Sequence, residues 1–419
     1  MSSPNRRRSS HALTVLRHRD FRLLWFGQLI SSSGQMMQTV ALAWHIFQLT
    51  DSTFQVGLLA FSNFLPYLIL SFVGGALADQ VNRRQVLLVT QAAGMAVALS
   101  LVTVTLAGVV TAPMLFAFAV LVGMTRAFDG PARQALIPNL VPRDELGSAL
   151  TLNTMLRQLA TTIGPGIGGV LIGVAGVETA YAVNAVSYVA VFAALLAMRP
   201  VAQTFGATGN RLTQMLGGVR FAMKERLILL LLAFDFLVVI LGSTEALMPA
   251  FARDILEVGP EGLGLLYGAP AVGAIVGALI LGALGTGWRH VGIVLLVGAS
   301  FGLCIIGFGL TTSFALALAF LFVSGLVDVI GEVLRATIIQ LRTPDEVRGR
   351  VTAMSSIFTG GGPQLGQLYS GTVAAFLGPA GAAVLGGTAV LFVTAAFALN
   401  PMMRRPVDPV PIITRPSSV

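Results

Sequence analysis

The sequence predicts an all-α polytopic membrane protein whose twelve transmembrane helices form two pseudo-symmetric six-helix bundles. Three observations predict it: a composition too apolar for water, bilayer-length apolar segments with basic residues sorted to one side, and an internal repeat at offsets of 202 and 207 residues.

Of 419 residues, 55% are apolar and 11% are charged, against about 25% charged in soluble proteins. Such a chain cannot cover its own surface with polar groups. The 47 glycines fit a membrane solvent, since bare backbone lets helices approach closely in lipid. A net charge of +8 suggests nucleic acid at first sight, but the basic residues flank apolar runs instead of forming a soluble basic face with stacking aromatics. Cys304, the single cysteine, lies within an apolar run and leaves no intrachain disulfide. Arg6, Arg7, Arg8, Arg17 and Arg19 precede an apolar stretch that starts near Phe21 and outruns a signal-peptide core. It is read as a retained first span, with a twin-arginine export signal as the alternative.

Segments of about 20 apolar residues suffice to cross a bilayer. They fall at 21–48, 54–78, 86–108, 113–133, 148–175 and 179–198, and again at 227–251, 261–284, 290–310, 314–334, 351–376 and 381–402. The implied organisation is a cytoplasmic tail at 1–20, a first bundle at 21–199, a linker at 200–226, a second bundle at 227–402 and a tail at 403–419. In the linker, Leu212, Met215, Leu216, Val219 and Met223 recur at helical spacing beside Arg220 and Lys224, as in a helix lying on the cytoplasmic interface. Basic residues stay preferentially on the cytoplasmic side. Loops of one side hold Arg83, Arg84, Arg133, Arg143, Arg199, Arg211, Arg220, Lys224, Arg226, Arg289, Arg335, Arg342, Arg348 and Arg350, whereas the other side holds only Arg253. Both termini are therefore expected in the cytoplasm, in a multi-pass protein of a bacterial inner membrane.

The repeat search carries further than hydropathy. Gly123, Arg133, Pro142 and Gly147 recur as Gly325, Arg335, Pro344 and Gly349, all at an offset of 202, and Gly57 and Gly75 recur as Gly264 and Gly282 at 207. Two parallel six-span copies follow. Such halves place a site at their interface near the midplane.

The loop after the second span reads Gly74-Gly75-Ala76-Leu77-Ala78-Asp79-Gln80-Val81-Asn82-Arg83-Arg84. Gly-x-x-x-Asp with a paired basic tail resembles the signature cytoplasmic loop of the major facilitator superfamily, and the resemblance covers essentially the whole chain. The superfamily usually has a basic residue at Gln80 and glycine at Asn82. Gly75, Asp79, Arg83 and Arg84 are the expected latch: Asp79 can accept from a neighbouring helix N-terminus, and either arginine can hold a carboxylate across the loop. The aligned second-half segment, 282–290, lacks the acid. In the fifth span, Gly164, Pro165, Gly168 and Gly169 resemble the Gly-Pro-x-x-Gly-Gly element of the superfamily's exporters. Proline there removes an amide donor and bends the helix, and the glycines allow close contact; simple packing glycine is the alternative. The stretches DFRLLWFGQLISSSGQ and FDGPARQALIPNLVPRDELGSALTLN are similar to the bacterial branch containing the enterobactin exporter and related secretion-effector or multidrug proteins.

The resemblance implies a secondary transporter, an antiporter exporting a drug or a siderophore-like amphiphile by alternating access. A nutrient importer, a lipid flippase and a non-transporting scaffold are the rivals. Ionisable residues within spans cost about 2.5–3.5 kcal/mol each on insertion scales, so the few present are the site candidates. Arg126, Asp129 and Arg133 can form a network on one face of span four, Glu332 and Arg335 share that spacing logic in span ten, and Arg157 lies in span five. Asp235, Glu245 and Asp328 are the candidates for carrying the coupling proton, with sodium as the other ion; no basic residue lies near Asp235 or Glu245 on their own span. Gln28, Ser31, Gln35, Gln38 and Thr39 form a polar stripe on span one, and with Asn63 and Asn153 they are the cavity-lining candidates. Gln91 and Asn184 can join them, though interhelical hydrogen bonding is an equal reading. The 25 phenylalanines suit an apolar or amphiphilic ligand. His11, His18, His45 and His290 lack metal-ligand spacing, and no Gly-x-x-x-x-Gly-Lys-Ser/Thr loop is present. Neither an enzyme nor a cofactor is expected, and the partners are the bilayer, a small molecule and an ion, in a monomer.

Overall fold

The computed structural model describes residues 13–199, 225–284 and 291–403. The side chains of Leu13, Asp79, Leu284, 345–350 and 352–359 lie outside that description. So do nearly all of the 200–226 linker with its expected interfacial helix, most of both tails, and 285–290 of the aligned second-half loop.

Helix ends follow local chemistry. The first helix, α1 (Arg19–Thr50), begins with Asp20 in its first turn, where a carboxylate suits the positive end of the dipole. It stops where Asp51 takes a left-handed φ of 47°. Ser52 caps α2 (Thr53–Gln80), accepting from the Gln55 amide at 3.4 Å, and Asn82 caps α3 (Arg83–Leu106), accepting from the Arg84 amide at 3.0 Å. Then come α4 (Ala112–Leu136), α5 (Leu146–Ala175) and α6 (Val177–Ala197). In the second half, α7 (Arg226–Leu241) breaks at Gly242 and re-forms as a 3-10 turn at Glu245–Leu247 and a π turn at Phe251–Ile255. It is followed by α8 (Gly259–Leu284), α9 (Val291–Leu310) and α10 (Phe314–Arg342). The stretch Asp345–Ala398 is interrupted at Gly378, whose φ of 73° divides α11 (345–377) from α12 (379–398). Pro379 opens α12 where its missing amide costs nothing.

Among the described residues this makes twelve long helices and no strand. Ten stretches are long and apolar enough to cross a membrane, the longest being Gly360–Ala398, which holds part of α11 and all of α12. The polar stripe keeps α1 below that hydropathy, although its 32 residues exceed a bilayer crossing. The expected spans coincide with these helices within a few residues, with two corrections. The seventh is broken at Gly242, not continuous. Arg133 and Arg335, counted above with the loops, lie inside α4 and α10, where side-chain partners described below compensate their charges.

Large apolar side chains such as Val174, Phe376 and Phe392 are 79%, 83% and 76% exposed, a surface only lipid can cover. Lipid tails supply no hydrophobic drive between helices, so close packing at small residues must hold the bundle together. The repeat is visible at that level. A Cβ on Gly123 would overlap the Asn63 backbone carbonyl of α2, and one on Gly325 would overlap the Pro270 carbonyl of α8. Gly123 and Gly325 are 202 apart and Asn63 and Pro270 are 207 apart, so one backbone contact is built twice.

The halves meet along α2 with α11 and α5 with α8. Thr53 donates to the Gly371 carbonyl at 3.5 Å, and Arg253 pairs with Asp51 at 2.6 Å with its guanidinium 4.3 Å from the Phe47 ring centroid. At this end one apolar core, containing Val40, Phe47, Leu59, Tyr181, Leu247, Phe251 and Phe308, runs through both halves. At the opposite end, among the described residues, each half keeps its own core: one around Phe21, Leu87, Leu136 and Leu195, the other around Leu231, Phe234, Val294 and Ile338.

Candidate functional site

Three cavities adjoin one another in a row that runs from the first half to the second. The first, about 260 Å³, sits in the first half and is lined by Tyr67, Arg126, Asp129, Arg133, Arg157 and Tyr188 among others. A second, about 120 Å³, lies between the halves with Gln38, Thr39, Asn63, Glu245, Tyr267 and Gln367 in its wall. The third, about 220 Å³, belongs to the second half and takes Asp235, Ser324, Asp328, Glu332 and Arg335. Gln35, Met36, Arg126 and Tyr188 are shared by the first two, and Glu245 by the last two. A larger groove of about 420 Å³, with Leu77, Val89, Met124 and Phe128 on its walls, is almost wholly apolar and brings no ionisable group together.

The charged residues are arranged differently from the sequence expectation. Asp129 and Arg133 pair at 3.3 Å, one turn apart, and Asp129 also accepts from Gln91 at 2.6 Å and Thr90 at 3.4 Å. Arg126 does not join them: it donates to Asn63 Oδ1 at 3.3 Å and lies 5.9 Å from the Tyr67 ring centroid. Arg157 lines the same cavity without an ion pair among the described residues. In the second half, Arg335 is buried and pairs with Asp235 on α7, with Asp328 at 4.0 Å. The expected Glu332 pair is replaced by these two, because the Asp235 carboxylate reaches Arg335 from the facing helix. Asp235 is therefore not isolated; the absence of a cation on its own span said nothing of α10. Glu245 has no cation partner among the described residues. It accepts from Gln367 Nε2, and its backbone carbonyl accepts from Tyr267 at 2.8 Å.

Repeat offsets explain the pattern. Arg133 and Arg335 are equivalent at 202, and their partners across the bundle, Gln28 and Asp235, are equivalent at 207. Where the first half has Asp129 one turn before the arginine, the second has Gly331, a position at which a Cβ would stand 2.9 Å from Arg335 Nη1. The acid that compensates the arginine has moved from its own helix to the facing one. Once the Gln28–Arg133 contact is known, the two offsets carry it onto Asp235 and Arg335.

The latch residues divide. Arg83 donates Nε to the Ala78 carbonyl at 3.1 Å and Nη1 to the Ala135 carbonyl and Asn139 Oδ1 at 3.1 and 2.9 Å. Arg84 reaches the Leu195 and Leu196 carbonyls at the end of α6, at 2.7 and 3.0 Å, where the negative end of the helix dipole favours it. Arg84 thus holds helix-end carbonyls in place of the carboxylate expected. Gly75 is buried, and the Asp79 side chain lies outside the described residues. The polar stripe also splits. Gln35, Gln38 and Thr39 line the central cavity with Asn63, whereas Gln28 and Ser31 are buried inside the first half, the former bonded to Arg133. Gln38 is shared with the packing, since Asn184 donates to it. Asn153 is half-buried on α5 and lines none of the three cavities. On α5, Gly164 and Gly168 meet Met36 and Met37 of α1, while Gly169 meets Pro260 and Gly264 of α8, and the Pro165 carbonyl faces Gly264. One turn of α5 thus packs both within its half and across to the other.

The transmembrane secretion effector family model matches residues 10–410. The chain belongs to that family. Curated relatives include the enterobactin exporter EntS of Shigella boydii and that of Citrobacter koseri, each 27% identical over 380 residues and covering 90% of both chains. Among solved structures, the nucleoside transporter NupG matches with a TM-score of 0.71 at 15% identity, covering 92% of this chain and 99% of that one. A bacterial homologue of the human lysosomal transporter Spinster, inward-facing and unoccupied, matches at 0.70 and 15%, covering 94% and 96%. This transmembrane secretion effector is a multi-pass membrane transporter with the major facilitator fold.

Proposed function

We propose that the protein is a secondary active exporter of a small amphiphilic molecule, drug-like or siderophore-like, driven by inward proton flow through alternating access. The observation that carries this reading is the row of three cavities across the half-to-half boundary, each lined by ionisable side chains, with Glu245 at its junction and without a cation partner among the described residues. A carboxylate in that position exchanges a proton at less cost than one locked in an ion pair, and Asp235 and Asp328 compete for a single guanidinium beside it. Placed by the sorting of basic residues, the Asp51 and Arg253 end is periplasmic and both termini are cytoplasmic, in the inner membrane. The shared apolar core then closes the periplasmic end. Gly75, Asp79, Arg83 and Arg84 act as a latch of one conformation, and the packing of 164–169 on both halves makes α5 a pivot of the exchange. The unit of transport is the monomer.

Everted vesicles given a panel of siderophores and amphiphilic drugs in the outside medium, with and without a pH gradient, test it. Uptake that requires the gradient is expected, and Glu245→Gln should lower the gradient-driven rate at least about tenfold. Full proton dependence in Asp235→Asn, Glu245→Gln and Asp328→Asn alike would reject the coupling assignment. Sodium-driven flux would reassign the ion.

A further inference from the structure

The repeat also exposes a reversal of charge between the two halves. Gln28 and Gln38 of α1 correspond at 207 to Asp235 and Glu245 of α7. On α4, Arg126 and Gly130 correspond at 202 to Asp328 and Glu332 of α10. Four equivalent positions that are neutral or basic in the first half are acidic in the second, and all four acids line its cavity. Arg157 corresponds to Thr359. In the first cavity the Asp129–Arg133 pair is self-compensated, which leaves Arg126 and Arg157 as two positive charges with no carboxylate partner among the described residues. Both residues are exposed and line this cavity. An arginine at membrane depth needs a counter-charge or water, and a cavity wall offers a bound anion the first of these. Beside them stands Tyr67, its ring centroid 5.9 Å from the Arg126 guanidinium and its side chain exposed, a flat face suited to an aromatic body, while Tyr188 borders the cavity from a buried position.

We propose that the first-half cavity binds the anionic group of the substrate, a carboxylate or sulfonate carried on an aromatic or apolar body, with Arg126 and Arg157 as its charge partners. The acidic second-half cavity then handles the proton, so cargo anion and coupling cation occupy opposite halves and meet at the central cavity. This assignment rests on the export reading above and narrows its substrate class.

Binding to the purified full-length chain tests it with two probes of one shape and opposite charge, naphthalene-2-sulfonate and naphthalen-2-yl-trimethylammonium. The sulfonate should bind at least about tenfold tighter. Arg126→Gln and Arg157→Gln should each weaken it by about tenfold, Arg157→Lys should retain most of the affinity, and Arg143→Gln, in a loop, should change nothing. Should the arginine variants fail to fold, Gln134→Glu, which adds a negative charge to the same wall, should lower sulfonate affinity and spare the ammonium. Equal or tighter binding of the ammonium by the unaltered protein overturns the proposal, as does unchanged sulfonate affinity in folded Arg126→Gln and Arg157→Gln. Everted-vesicle flux separates the two levels. Selective sulfonate binding without gradient-driven uptake refutes export and leaves the anion site standing, whereas gradient-driven uptake that prefers the ammonium refutes the anion site and leaves export standing.

Discussion

The relocated acid partner of the two equivalent arginines can be moved back. Asp235→Gln gives the second half the first half's neutral residue at the α7 position, removing the carboxylate that faces buried Arg335. Breaking a buried ion pair from one side costs about 3–5 kcal/mol. Asp328 at 4.0 Å, on a side chain 45% exposed, compensates part of the stranded guanidinium, so a loss of about 2–3 kcal/mol is expected. Gly331→Asp on that background recreates the spacing of Asp129 and Arg133. It also removes a glycine from a helix interior, worth about 0.5–1 kcal/mol. Against it stands crowding, since the new Cβ lies 2.9 Å from Val297 Cγ1 as well as from the movable end of Arg335, a cost of about 1 kcal/mol. Net recovery of about 1–2 kcal/mol over Asp235→Gln should appear in detergent unfolding of the purified protein. Further destabilisation of the double variant by more than about 1 kcal/mol would refute the equivalence of the two arrangements.

Gly123→Val and Gly325→Val should destabilise to a similar extent, about 2–3 kcal/mol each, because each Cβ meets an immovable backbone carbonyl; thermal midpoints of the two variants check this, and a loss at one site only would break the symmetry argument. Arg253→Gln removes an exposed ion pair worth about 0–1 kcal/mol and a cation–π contact worth about 0.5–1 kcal/mol. The resulting loss of about 1 kcal/mol should raise thiol labelling of Thr53→Cys, in a Cys304→Ala background, about fivefold; an unchanged rate would show that the pair does not hold that end closed. Gly169→Leu, whose Cβ meets the Pro260 carbonyl and the Gly264 backbone across the halves, should force the halves apart there and cut transport by more than it cuts the yield of monodisperse protein, measured as flux per folded protein; equal losses of the two would show that the contact serves stability alone.

Much of the architecture was legible because its signals are local. Apolar length placed the spans, and the gap it left between 376 and 381 falls at the turn where Gly378 divides α11 from α12. The break in α7 was not legible: Gly242, Ser243 and Thr244 form no strong interrupter in a membrane helix, and the polar environment that lets Glu245 leave the regular ladder comes from Gln367 and Tyr267 on other helices. Spacing found the Asp129–Arg133 pair of the first half, but pairing in the second half failed for the same reason. Spacing on one helix pairs Glu332 with Arg335 and isolates Asp235, yet the decisive neighbour lies 100 positions away. Helix rotation decided the rest, turning Gln35, Gln38 and Thr39 toward the central cavity and Gln28 and Ser31 toward the interior of the first half.

Side-specific labelling of Thr39→Cys in the Cys304→Ala background tests the transport path most directly, since Thr39 lines the central cavity. A membrane-impermeant thiol reagent should reach it from the cytoplasmic face alone in the resting protein, and from the periplasmic face once substrate and a proton gradient are applied. Labelling from neither face, or from both at once with no response to the gradient, would contradict alternating access through these cavities.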